Sequence, residues 1–137
     1  MLPVAAWLLA LSGLVLVGMG AYFGLARPAL LPEDARYMGT TESAVRSAAP
    51  NLAKWLKHVF WVMGGYIAST GVLVVYVAAT AVRAGALGAL AVLTVVWATS
   101  IGLMTLVNVL IDSDFKRPLA VLALIWATGL VLAGVAR

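Results

Sequence analysis

The chain has 137 residues, of which 64% are hydrophobic and 10% charged, with a mean hydropathy of +1.08. An ordinary soluble domain is about half apolar and roughly a quarter charged, so these side chains could not cover the surface of a water-soluble globule. A soluble enzyme, a secreted domain and a disordered tail are excluded. The absence of cysteine removes disulfides, thiolate metal sites and thiol catalysis. The net charge of +4 is assigned to membrane orientation and not to nucleic acid, because loop Lys and Arg set topology.

Four runs lack any acidic or basic residue: Met1 to Ala26, Val59 to Val82, Ala84 to Ile111 and Pro118 to Ala136. Each approaches or exceeds the roughly 20 apolar residues that cross the hydrocarbon core of a bilayer. The reading is an all-α membrane protein with a single domain. Its four transmembrane helices, at about residues 3–26, 58–82, 85–111 and 118–136, form an up-down antiparallel, left-handed bundle. Gly24-Leu25-Ala26 imitates a signal cleavage site, but no Lys or Arg precedes the first run and it exceeds a typical signal core. An uncleaved helix is expected.

The segment after the first span carries Arg27, Arg36, Arg46, Lys54 and Lys57, and the last turn carries Lys116 and Arg117. The other side has Arg83 and Arg137. Seven against two places the first set in the cytoplasm. The expected location is the cytoplasmic (inner) membrane, multi-pass, with both termini extracytoplasmic.

Residues 27–57 form the cytoplasmic connection. Pro32 suits a first helical position, Glu33 and Asp34 suit the positive end of the dipole, and Gly39 suits the residue after a helix. One short helix is predicted from Leu31 to Met38. Thr40 or Thr41 caps a second, with Glu42 in its first turn, ending before Pro50. Pro50 then opens the helix that enters the membrane. Leu52, Trp55, Leu56 and Val59 share one side of that entry, and Lys54, Lys57 and His58 the other. Trp55 is an interfacial anchor, with the lysines facing anionic lipid.

Spanning helices associate through close packing of small residues. Alternating steps of four and three give Ala6, Ala10, Gly13, Val17, Gly20 and Gly24 in the first span and Gly64, Ala68, Gly71, Val75 and Ala78 in the second. The third gives Thr94, Ala98, Ile101, Thr105, Asn108 and Asp112, and the fourth Ala120, Ala123, Ala127, Leu130 and Gly134. Leu9 and Leu16 lie off the first seam. Short connections make spans two and three, and three and four, antiparallel neighbours.

Two groups are candidate sites. Tyr22, His58, Asn108, Asp112 and Asp114 map to the cytoplasmic end, beside Lys116 and Arg117. His58 with Asp112 and Asp114 has the ligand types of a zinc or manganese site, although aspartates in a turn more often cap it and pair with nearby cations. Asn108 must find a partner, because an unsatisfied amide in hydrocarbon costs several kcal/mol; Tyr22, His58, Tyr66 or a water is expected to supply it. The second group is a mid-membrane layer in which Ser12, Thr70, Trp97 and Trp126 line a pocket or fill the core. Ser69, Thr99, Ser100 and Thr128 share that depth.

No Asp, Glu, Lys or Arg lies inside a span, whereas intramembrane ionisable groups are the usual mark of proton relays and ion-coupled transport. The chain therefore lacks the intramembrane glutamate of small multidrug exporters, the Arg- and Asn-bearing motif of membrane glutathione transferases and the Gly-Arg motif of fluoride channels. The stretch from Arg27-Pro28 through Leu31-Pro32-Glu33-Asp34-Ala35-Arg36-Tyr37-Met38-Gly39, with Trp55-Leu56 and Val62-Met63-Gly64-Gly65-Tyr66, resembles small four-span bacterial membrane proteins of unknown function. That resemblance implies no activity and no site residue. The expected role is that of an accessory or structural protein without catalytic activity or cofactor, docking a partner protein, a second copy or lipid. A carrier or channel for a neutral or apolar molecule comes second, and a membrane enzyme using His58, Asp112 and Asp114 third.

Overall fold

A computed structural model gives the fold and describes residues 1–136; Arg137, counted above among the charges of the second face, lies outside the described residues. All regular structure among the described residues is helical: α1 Leu2–Leu25, α2 Pro32–Tyr37, α3 Glu42–Ala48, α4 Leu52–Val82, α5 Leu87–Leu110 and α6 Lys116–Val135. The four long helices, α1, α4, α5 and α6, are long and apolar enough to cross a membrane. Their ends fall within a few residues of the charge-free runs, except that α4 begins at Leu52, well before the last connection charge. Pro50 lies in the turn ahead of it, and Asn51 is the N-cap.

The largest interface joins α1 and α4, and small residues explain it. A Cβ built on Gly20 would lie 2.5 Å from the Gly64 carbonyl oxygen, and one on Gly71 would lie 2.5 Å from that of Gly13. Only hydrogen fits at either place, so the backbones themselves touch. The pairs 13 with 71 and 20 with 64 also show that the two helices run antiparallel. These are the glycines of the predicted seams.

A second face of α1 packs on α6. Leu9 and Leu16 lie off the glycine seam but are fully buried, and Leu9 covers Gly129. The fourth seam is corrected here. Leu119, Leu122, Ala123, Trp126, Gly129 and Ala133 are buried in α6, whereas Gly134 is exposed. The small-residue pattern missed this face because a large ring, Trp126, sits at its centre and glycine merely makes room beside it.

Helix α5 packs mainly on α6, and its contact with α4 is slight by comparison, so the expected pairing of spans two and three contributes little. Its predicted seam also fails in the first half. Thr94 and Ala98 are exposed and Ala89 and Leu93 are buried instead, while Ile101 of the predicted seam is buried as expected. The backbone between Ala98 and Gly102 winds as a wide π-type turn, which resets the phase of the following residues. Thr99 and Ser100 donate their hydroxyls to the carbonyls of Val95 and Val96 just before it. A second such turn, Ala78–Val82, ends α4.

Candidate functional site

The connection is the part of the molecule that polar chemistry organises most. Pro32 starts α2, and the Asp34 carboxylate reaches back to accept the Leu31 N–H at 2.9 Å. Gly39 follows with φ of +66°, a left-handed value that glycine adopts without strain. Thr41 caps α3 by accepting from the Ala44 N–H at 3.2 Å, and Arg46 pairs with Glu42 along its exposed face. These local features follow the predicted pattern closely.

What the sequence does not announce is how α2 is pinned to the long helices. On one side Arg27 is the pin. Its side chain is 11% exposed and pairs with Asp34 at 3.4 Å. The guanidinium lies 3.9 Å from the Phe60 ring centre and 5.4 Å from that of Phe23. Desolvated guanidinium–aromatic contacts of this kind contribute roughly 2 kcal/mol. One cation thus joins α1, α2 and α4.

On the other side, Glu33 is 3% exposed and accepts the Ser113 hydroxyl at 3.2 Å. The same Ser113 oxygen accepts the Phe115 N–H at 3.1 Å, which shapes the turn before α6. Arg36 adds contacts to the Asp112 carbonyl and the Asp114 carboxylate. Helix α2 therefore clasps the α1–α4 end to the α5–α6 turn. Glu33 and Ser113 were missed as functional positions because they lie eighty residues apart. The only early signal was a second acid beside Asp34, left over once Asp34 caps the helix.

The five residues grouped at this end are dispersed by the fold. Tyr22 is partly exposed and makes a T-shaped contact with Phe23. His58 makes one with Trp61 and borders an open groove of about 580 Å³ along α4, lined also by Val59, Val62, Met63, Tyr66 and Ile67. Asp112 pairs with Lys116, and Asp114 with Arg36. Among the described residues no three His, Cys, Asp or Glu side chains come close enough to hold a metal ion. Asn108 is corrected too. Its amide donates to the Met104 carbonyl of its own helix at 2.8 Å, and no bond to Tyr22, His58 or Tyr66 forms.

Asp112 adopts φ of +53°, the left-handed region that Asp tolerates better than most residues. The Lys116 ammonium donates to its carboxylate and, with a smaller contribution from Arg36, holds the group below its ordinary titration range.

The mid-membrane group is partly assembled. Ser12 is buried and donates to the Leu8 carbonyl at 2.9 Å, and Thr70 donates to that of Tyr66 at 2.8 Å. Trp97 donates its indole N–H across to the Ala123 carbonyl of α6 at 2.9 Å. Trp126 is completely buried in the same hydrophobic core, and its indole N–H has no acceptor. Such an orphaned donor in a dry interior carries a penalty of about 1–3 kcal/mol.

No protein-family profile, curated protein or solved structure matches this chain.

Proposed function

We propose that the protein is a non-catalytic accessory or structural component of the cytoplasmic membrane. In this reading the helices form an up-down, left-handed bundle with both ends of the chain outside the cytoplasm, and residues 27–57 are a cytoplasmic platform that docks a partner protein or lipid. The observation that carries it is the clasp. A buried carboxylate and a nearly buried guanidinium hold α2 from both sides, while Tyr37 and Met38 at its end stay exposed. Burying charge is costly unless it is partnered. Arg27 pairs with Asp34 and Glu33 accepts the Ser113 hydroxyl, and together they hold a short surface helix in one position, as a docking element requires. The charge asymmetry of seven against two supports the orientation.

A photo-crosslinker at position 37 or 38 tests the docking, and one at exposed Leu87 on the opposite side is the control. Adducts of discrete mass from positions 37 and 38, absent from 87, are expected. A lone monomer from all three positions overturns the reading. Cysteines introduced at residues 1 and 137 test the orientation; labelling by an impermeant reagent only after lysis reverses it.

The buried, acceptor-free indole of Trp126 favours a second reading, a carrier or channel for a small neutral molecule. Such a molecule would offer an acceptor at mid-membrane depth. Flux in liposomes that falls when Thr70 or Trp97 is replaced would select this reading over the first.

A further inference from the structure

We propose that the concavity between α2 and the α5–α6 turn binds the phosphate group of an anionic lipid headgroup. The hollow has a volume of about 410 Å³ and is lined by Arg36, Asp112, Ser113, Asp114, Lys116 and Arg117. Three cations and two carboxylates line the hollow, and a third carboxylate, Glu33, lies behind it on Ser113. The pairing of the lining charges leaves Arg117 without an anion. Lys116 is committed to Asp112. The Arg117 guanidinium has no ion pair or hydrogen bond among the described residues, and it borders the hollow. Arg36 uses a single nitrogen, Nη2, for both of its contacts, at 3.1 Å to the Asp112 carbonyl and 3.4 Å to Asp114.

That Arg36–Asp114 pair is long, and its side chains are 54% and 70% exposed. Exposed pairs of this kind contribute little and exchange readily. The rest of the Arg36 fork is therefore free, and planar forks match phosphate oxygens two at a time. Ser113, held by Glu33 and the Phe115 N–H, fixes the floor.

The position of the hollow selects a lipid. It sits where α5 ends and α6 begins, and Leu110, Phe115 and Val121, exposed at or near those helix ends, offer apolar surface for the acyl chains of a lipid whose phosphate occupies it. Basic pockets at the ends of spanning helices recognise anionic headgroups in this way. The inference rests on the docking reading only in placing this face at the cytoplasmic leaflet. A protein partner on Tyr37 and Met38 is a separate event.

The test uses the full chain in uncharged detergent, with dihexanoyl phosphatidylglycerol, dihexanoyl phosphatidylcholine and inorganic phosphate as probes. Phosphatidylglycerol should bind about tenfold more tightly than phosphatidylcholine, a difference near 1.4 kcal/mol. Arg117→Gln should remove that preference without changing the melting temperature, and Lys54→Gln should leave it intact. Asp114→Asn should strengthen binding several-fold, roughly as expected when a competing carboxylate is removed. Equal binding of the two lipids, or a preference that survives Arg117→Gln, overturns the site. Inorganic phosphate binding as tightly as phosphatidylglycerol overturns the lipid as its source. Impermeant labelling of cysteines at residues 1 and 137 reports independently on the placement at the cytoplasmic leaflet, and crosslinking from positions 37 and 38 on the docking.

Discussion

Helices α1 and α5 are both apolar along their length, yet they are held in different ways. Four glycines bring the α1 and α4 backbones into contact, and a second face of α1 is buried on α6. Helix α5 has no such seam. Its first half exposes Thr94 and Ala98, and single large side chains and one indole hydrogen bond fasten it to α6. Lipid is as apolar as leucine, so hydrophobicity does not distinguish the two helices. Closeness of approach does, and glycine alone permits it. At its connection end α5 is held through the clasp, where the turn after it meets Glu33 and Arg36.

The sharpest way to break this contrast is to fill the seam. Gly20→Leu or Gly64→Leu would force the two backbones apart, at a cost above about 3 kcal/mol, beyond ordinary overpacking. Gly88→Leu is the control on α5, because nothing lies within 4 Å of its added Cβ. It should stay within about 0.5 kcal/mol of wild type. Denaturation in detergent micelles measures both, and equal effects would show that the seam is not what holds α1 to α4.

Next in size is the clasp. Arg27→Ala should cost about 2 kcal/mol, from lost ring contacts and from leaving Asp34 unpaired. Glu33→Ala should cost about 1–3 kcal/mol by stranding the buried Ser113 hydroxyl. Hydrogen exchange should then rise in the 111–115 turn for Glu33→Ala while the α1–α4 seam stays protected. Exchange rising evenly across all helices would contradict the division into two differently held parts.

Two polar groups on α5 refine the comparison further. Trp97→Phe removes the one indole bond to α6 and should cost about 0.6–2 kcal/mol, the range for interhelical polar contacts in membranes. Asn108→Leu removes only a bond within its own turn and should cost about 0.6 kcal/mol or less. A reversed order in thermal melts would mean that Asn108 has a partner on another helix.

The parts of this fold that sequence made legible are those with a local cause. Charge-free runs locate the spans, Pro32, Asp34, Gly39 and Thr41 locate the short helices, and glycine spacing locates the α1–α4 seam. The α6 face was misread because it buries Trp126 among leucines, and a search for small residues passes over large ones. The α5 face shifted at Ala98–Gly102, where no proline or glycine pair marks the wide turn. At the candidate site, Asp112, Asp114, Lys116 and Arg117 were readable as a cluster. Glu33, Ser113 and Arg36 join them only through tertiary contact, which periodicity does not encode.

The smallest expected effect concerns Asp112, at the end of α5, and it has a definite sign. Its carboxyl titrates below the ordinary value of about 3.8, first because of the Lys116 hydrogen bond and charge. A group whose pKa is lower in the folded state contributes stability above its unfolded pKa and loses it as pH falls through the folded value. Wild type should therefore lose a small increment of stability only below about pH 3.8, and nothing between neutrality and pH 5. Asp112→Asn should flatten that acid limb and otherwise melt close to wild type, since Asn also tolerates φ of +53°. Asp112→Ala should melt lower than Asp112→Asn at every pH, because alanine adopts that backbone with strain. If the two variants melt alike, the turn relaxes to an unstrained conformation and Asp112 is not selected for its backbone.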